Sequence, residues 1–310
     1  MRTRGMFGGI GATIGLIFGG LGLTAVASVV NAVPAAAATL SGITCPAPYP
    51  GTIPGGTYSS LTMPPGSQCL IEGTVVVNRG ITLGTGSGLG VDTGSLTVNG
   101  PVTVGPDAVL APVYALLVSP EATPAPITVN GPVTVQTNGW FSTFGPTIAG
   151  PVRATDPSGV QIFDTDISGP VVINGGGGEN LVMDALGLCY GKSAAPSDCP
   201  APNYAYNQNF LAGNEIDGPV SVTNYDGKWQ GIIYNVMGPM TFSDNNQFVG
   251  SAIGFNVING PATCSENFAG SGLEAPNTGP DVSGPSVVNG PTRGDQASTC
   301  TGVLGGTWGR

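Results

Sequence analysis

The sequence predicts an all-β fold, a single-stranded parallel β-helix (β-solenoid) of about nine coils with a period near 20 residues. Three observations carry this expectation. A phrase returns along the chain: Val98-Asn99-Gly100-Pro101-Val102-Thr103-Val104, Val129-Asn130-Gly131-Pro132-Val133-Thr134-Val135, Ile167-Ser168-Gly169-Pro170-Val171-Val172-Ile173 and Ile216-Asp217-Gly218-Pro219-Val220-Ser221-Val222. Apolar residues alternate within each phrase, the period-two signal of a strand with one buried side. The chain also holds 52 glycines and 28 prolines in 310 residues, too many breakers for helices. A β-sandwich with Asn-Gly hairpins is the rival architecture. Proline directly after Asn-Gly spoils the two-residue hairpin, and even spacing favours coils.

Residues 1–38 have the layout of a signal peptide: Arg2 and Arg4, an uncharged apolar run, then Ala36-Ala37-Ala38 at the expected cleavage site. An uncleaved anchor is the alternative, because the run is long enough to span a bilayer and carries Gly11, Gly15 and Gly19 at four-residue spacing. Cys45 follows Gly42-Ile43-Thr44 and lacks the small residue that lipoprotein processing needs just before the cysteine. Residues 39–70 are expected to form an N-terminal cap and 71–270 the repeat domain, with insertions at 105–126 and 175–213. Residues 271–310 complete the chain as a C-terminal cap and tail.

Within the repeat domain the phrase glycines are taken as Gly73, Gly100, Gly131, Gly150, Gly169, Gly218, Gly238, Gly260 and Gly284. Positions −2, +2 and +4 from each are assigned to the buried row, as in Ile167, Val171 and Ile173, or Val236, Met240 and Phe242. Proline gives no ladder hydrogen bond and glycine admits unusual dihedrals, so Gly-Pro marks a corner between two strands. Past the corner come Asp156, Asn224, Asp244 with Asn245, and Glu266 with Asn267, which either stack as a polar ladder or bond their own backbone at a turn. A third stretch then carries Phe144, Phe163, Tyr234 or Phe255.

Composition narrows the function. Eight Lys and Arg against 18 Asp and Glu give a formal net charge of −10, which disfavours nucleic acid and anionic lipid as partners. Charged residues make up 8% of the chain against about 25% in typical domains, so the outer surface is expected to be Thr, Ser, Asn and Gly. No membrane association is expected once the signal is removed. Cys45, Cys69, Cys189, Cys199, Cys264 and Cys300 are an even set in an exported chain, the pattern of disulfides. Nearness along the chain favours Cys45–Cys69, Cys189–Cys199 and Cys264–Cys300. With no histidine and no Cys-x-x-Cys, a zinc site is disfavoured.

The absence of histidine also removes the commonest general base and the Ser-His-Asp triad. Carboxylates remain. Asp166 and Glu215 hold the −3 position of their phrases, so they stack on adjacent coils about 5 Å apart if the intervening loop bulges outward. That separation suits a retaining glycosidase pair. Together with Asp164 and Asp217 they also form a candidate Ca2+ site, and no other cofactor is implied. The other −3 residues, Thr97, Thr128, Thr147 and Asn235, describe an ordinary outward polar row. Trp229 is a candidate for stacking on a sugar ring, with Trp140, Tyr204 and Tyr206 as further aromatics, and Lys228 is the one base placed for a lyase. Gly84-Thr85-Gly86-Ser87-Gly88 lacks the lysine of a phosphate-binding loop.

The segment Asn256-Val257-Ile258-Asn259-Gly260-Pro261-Ala262-Thr263-Cys264, followed by Ala275-Pro276-Asn277 and Cys300, resembles uncharacterised secreted actinobacterial repeat proteins. The resemblance covers about residues 214–300 and implies export and a repeat fold; it carries no catalytic residue across. The expected function is that of a secreted or cell-surface structural or surface-interaction β-solenoid, more in keeping with a non-catalytic role. The alternatives are a carbohydrate-active β-helix, lyase or hydrolase, and a cation-dependent sugar-binding module. Cell-wall or extracellular polysaccharide is the partner these alternatives suggest.

Overall fold

The computed structural model describes residues 41–47, 50–112, 125–177, 208–269 and 281–301, all within one unit, Leu40–Arg310. The signal segment, Cys189, Cys199, Tyr204 and Tyr206 lie outside the described residues. The fold is a parallel β-solenoid of about eight turns with a period of ~21 residues. Its first face is an 11-stranded parallel sheet of short strands. Val102–Val104, Val133–Val135, Val152–Thr155, Val171–Asn174, Val220–Thr223, Met240–Ser243 and Ala262–Ser265 follow one another in unbroken register. The second face includes Trp140–Phe144, Gly159–Phe163 and Gln208–Ala212. The third includes Asp166–Ile167, Glu215–Ile216, Val236–Met237 and Val257–Ile258.

Gly-Pro turns the chain from the third face to the first. Each glycine packs so closely on the corner below that a side chain has no room: a Cβ on Gly131 would lie 2.6 Å from the Gly100 carbonyl oxygen. The buried row is the one the alternation predicts for most phrases, with Ile167, Val171, Ile173, Ile216, Val220, Val222, Ile258, Ala262 and Cys264 all in the core. Between them the first face turns Thr44, Thr62, Thr82, Thr103 and Thr134 outward in one column. β-branched residues suit such a half-buried pleated surface.

Three phrases depart from the expected register. Around Gly238 the corner between Met237 and Met240 holds two residues, where the preceding coil has three between Ile216 and Val220. Counting back from the glycine therefore slips by one, and a one-residue slip exchanges the faces. Met237 is buried in place of Val236, which is 41% exposed. Asn235, expected in the outward row, is 1% exposed and belongs to the interior.

Gly73 is not a corner of the Gly-Pro kind. It lies within the strand Gln68–Val77, paired with Gly94 of Gly88–Val98, and both have positive φ. In these early coils one long strand bends from the second face to the third, and glycine permits the bend. The matching corner is Asn78-Arg79-Gly80, where the Ile81 N–H bonds Pro101 O. Gly284 pairs with Gly254 at the end of the second face, and the corner of that coil is Asn289-Gly290-Pro291.

Cys45–Cys69 and Cys264–Cys300 are disulfide-bonded, as nearness along the chain suggests. Residues 113–124 and 178–207 fall outside the described set. The strands beside them, Val109–Pro112 and Gln208–Ala212, are ordinary rungs.

Buried asparagine ladders hold the corners of the C-terminal half. Between the second and third faces, Asn235 Oδ1 accepts from the Asn214 N–H and Nδ2, and Asn256 Oδ1 accepts from the Asn235 N–H and Nδ2. Each Nδ2 also donates to a carbonyl of the coil below: Asn214 to Ile162, Asn235 to Leu211, Asn256 to Ile232. Asn245, Asn267 and Gln296 repeat the device between the first and second faces. Of the two readings of the polar residues past the corner, the ladder is the one the hydrogen bonds show. Asn245 and Asn267 form it, while Asp244 and Glu266 just before them, like Asp156 and Asn224 at the same corner of earlier coils, take a left-handed turn conformation.

Candidate functional site

Three of the four carboxylates singled out from sequence, Asp164, Asp166 and Glu215, lie along two neighbouring columns, and Asp217 stands outside them. Asp166 and Glu215 are register partners on the third face, one rung apart. Rung spacing is about 4.8 Å. Asp164 sits at the preceding corner with φ 48°, and its carboxylate leans over Gly213 of the next coil. Asp217 lies past Glu215 at the Gly-Pro corner. All four are exposed. Among the described residues no group of three or more His, Cys, Asp or Glu is arranged to hold a metal ion. The outward column of Asp166 and Glu215 continues through Thr147 on one side and Val236, Val257 and Val287 on the other.

The aromatics divide differently from expectation. Trp140 is 3% exposed, so it offers no open face to a ligand. Lys228 and Trp229 lie in the strand Asp226–Ile233, and their side chains are outside those described. Phe144, Phe163 and Phe210 form a half-buried stack along the second face, with centroids 4.4 and 5.3 Å apart. Tyr234 and Phe255 form a second stack, 4.7 Å between centroids with rings parallel to 1°, at the corner before the third face.

This second pair is the least expected feature of the surface. Tyr234 and Phe255 have φ 58° and 55°. The same corner position holds Gly213 and Asp164 in the two coils below, residue types that tolerate a left-handed conformation. A side chain with a Cβ costs roughly 1–2 kcal/mol there, so the two together cost about 2–4 kcal/mol. The stack returns only about 0.5–1.5 kcal/mol. Tyr234 is 58% and Phe255 39% exposed, so both rings keep a face to solvent, and their partial burial roughly balances the remaining cost. Beside them Val236 and Val287 are exposed and Val257 half-buried. The result is an apolar strip running up the C-terminal coils and continuing the acidic stretch of Asp164, Asp166 and Glu215.

Two titratable groups are shifted. Burial, with Asp226 adding to it, holds the Tyr225 phenol well above its ordinary value, and its hydroxyl donates to Ser158 O at 2.9 Å inside the coil. A hydrogen bond with Asp244, then the charges of Asp244 and Asp295, raise the exposed Glu266 carboxyl. Deeper inside, Asn209 and Gln230 are register partners on the inner side of the second face. Gln230 is 1% exposed, and neither end of its amide has a hydrogen-bond partner.

Sequence reasoning missed the Asn214, Asn235 and Asn256 ladder, although its members recur at the coil period of 21 residues. It also missed the apolar strip, because Val236 was assigned to the core. Comparison with protein families, with characterised proteins and with solved structures returned no match.

Proposed function

We propose that the chain is a non-catalytic structural solenoid of the cell exterior, which acts through the surfaces its coils present. The observation that carries this reading is the outward column of the third face. Its one carboxylate pair, Asp166 and Glu215, stands exposed in a row continued by threonine and valine. Acid chemistry at neutral pH needs a carboxyl whose protonation is held by a sheltered environment. Two disulfides that pin the described coils fit an oxidising compartment. No helix among the described residues is long and apolar enough to cross a membrane.

The second reading is a carbohydrate-active β-helix working on cell-wall or extracellular polysaccharide. The register pairing of Asp166 with Glu215 favours it, since neighbouring rungs give the separation a retaining pair uses. Incubating the purified protein with a panel of polysaccharides and assaying unsaturated products and reducing ends separates the two. No release is expected. Release abolished by Glu215→Gln would overturn the non-catalytic reading.

A further inference from the structure

The geometry points to a docking strip for a protein segment that carries apolar side chains followed by basic ones. We infer it from two adjoining columns on the C-terminal coils. One runs Asp164, Gly213, Tyr234, Phe255 at the corner before the third face, as the pairing of the residues just before each shows. The other runs Asp166, Glu215, Val236, Val257, Val287 on that face. Both change character at the same height: acidic below, apolar above.

The apolar half turns more hydrophobic surface outward than the rod's packing requires. Tyr234 and Phe255 are held in a backbone conformation that disfavours them, and the corner nevertheless keeps them with a face of each ring open to solvent. Left-handed aromatics at an exposed corner are the kind of backbone outlier that clusters at functional surfaces. Exposed valines beside them extend the patch, and apolar patches rimmed by polar groups mark interaction sites. The valine column offers a sugar neither hydrogen bonds nor a flat platform, and the Tyr234 and Phe255 rings are stacked on each other, so the strip suits a polypeptide better than a glycan.

Charge complementarity supplies the rest of the ligand. In the coil below Tyr234 the corner residue is Gly213, which leaves that side of the ring without a side chain from its neighbour, and the Asp164 carboxylate leans in from the next coil. An arginine entering there meets an aromatic face and carboxylates together, the pairing its planar guanidinium recognises. Five rungs span about 19 Å, the length of about six extended residues. The occupant is therefore an extended segment of that length lying along the rod, its basic end over Asp164, Asp166 and Glu215. This rests on the surface-interaction reading but does not depend on whether the protein also cleaves sugar.

The test uses the full chain and a fluorescein-labelled hexapeptide of three leucines followed by three arginines, read by fluorescence anisotropy. Binding is expected, weakening as salt rises. The double variant Tyr234→Asn with Phe255→Asn is expected to weaken it at least about tenfold with Tm unchanged or raised, since asparagine tolerates the left-handed corner. A peptide with glutamates in place of the arginines should not bind. Three results would overturn the inference: no binding of the basic peptide, equal binding by the double variant, or a clear fall in Tm of that variant, which would make the pair structural. Retention on insoluble polysaccharide that the double variant loses, without peptide binding, would assign the strip to a glycan instead. Sugar release in the polysaccharide assay bears only on catalysis.

Discussion

Replacing Asn235 by alanine tests whether the inner asparagine ladder, rather than the sheets alone, couples the C-terminal coils. Asn235 Oδ1 accepts from the Asn214 N–H at 3.1 Å and from Asn214 Nδ2 at 2.9 Å, while its own Nδ2 donates to Leu211 O at 2.8 Å and Asn256 Oδ1 at 3.1 Å. Truncation removes all four bonds and leaves the buried Asn214 N–H without its acceptor. An orphaned buried donor costs about 1–3 kcal/mol, and net losses from the remaining bonds bring the expected total to about 3–4 kcal/mol. At about 2 °C per kcal/mol for a chain of this size, Tm should fall by about 6–8 °C in differential scanning calorimetry. Amide exchange should quicken at Asn214 first. The control is Asn99→Ala on the exposed ladder, where the Asn99 amide donates to Asn78 Oδ1 and its Oδ1 accepts from Asn130. Water replaces those partners, so less than about 0.5 kcal/mol is expected. Equal losses from the two substitutions would refute the argument, because the amide geometry is alike and only burial differs.

Glycine contacts rank two further substitutions. A Cβ on Gly94 would sit 2.3 Å from the Gly73 carbonyl oxygen, whereas one on Gly66 meets nothing within 4 Å; both have positive φ. Gly66→Ala should therefore lose only about 1 kcal/mol of backbone strain, and Gly94→Ala clearly more in the same melting experiment. Gln230→Met replaces an unpartnered buried amide by an apolar side chain of similar length and should stabilise by about 1–2 kcal/mol; a lower Tm would show that the amide is satisfied in solution. For Glu266 the raised carboxyl means that the folded state binds the proton more tightly than the unfolded chain, so stability falls as pH rises from the ordinary carboxylate range through the raised value. Glu266→Gln should thus melt higher than the parent at neutral pH and lose that advantage on acidification, and an advantage that grows in acid would contradict the assignment. Calcium should leave Tm unchanged, since the four carboxylates do not gather into a three-ligand group, and a rise lost in Glu215→Gln would restore the cation site.

The parts of this fold legible in the sequence are those that every coil repeats under the same steric demand. Gly-Pro recurs because each corner glycine lies against the backbone of the one below, and the alternation beside it recurs because the interior is continuous. What the pattern hides is a change in the number of corner residues. Val236-Met237-Gly238 reads equally well with either aliphatic residue inward, and only pairing with Glu215 and Ile216 decides it. The asparagine ladder was concealed for another reason. An asparagine near a turn has a local explanation ready, a bond to its own backbone, and nothing in one coil says that its amide reaches the next. The register of Asp166 with Glu215 was readable because the phrase positions match across the long intervening stretch of sequence; what surrounds the pair depends on neighbours one and two coils away.

The early coils carry their asparagine ladder on the exposed Gly-Pro corner and the later coils bury theirs, and this bears on where a binding surface can be built. In the early coils Ser67 and Ser87 close their own turns, each hydroxyl donating to a carbonyl three residues back, at Pro64 and Gly84. Those bonds fix one turn and tie nothing to the coil above. In the later coils each ladder amide joins two levels, and the ladder residue directly follows the strained one: Asn235 follows Tyr234, and Asn256 follows Phe255. The Asn235 N–H is held by Asn256 Oδ1 and the Asn256 N–H by Ser286 Oγ. A left-handed aromatic persists only where its surroundings over-determine the backbone, and the ladder supplies that constraint immediately beside each ring. The buried amides and the exposed aromatics are therefore one device, a rigid corner that lets the rod present side chains the backbone alone would disfavour.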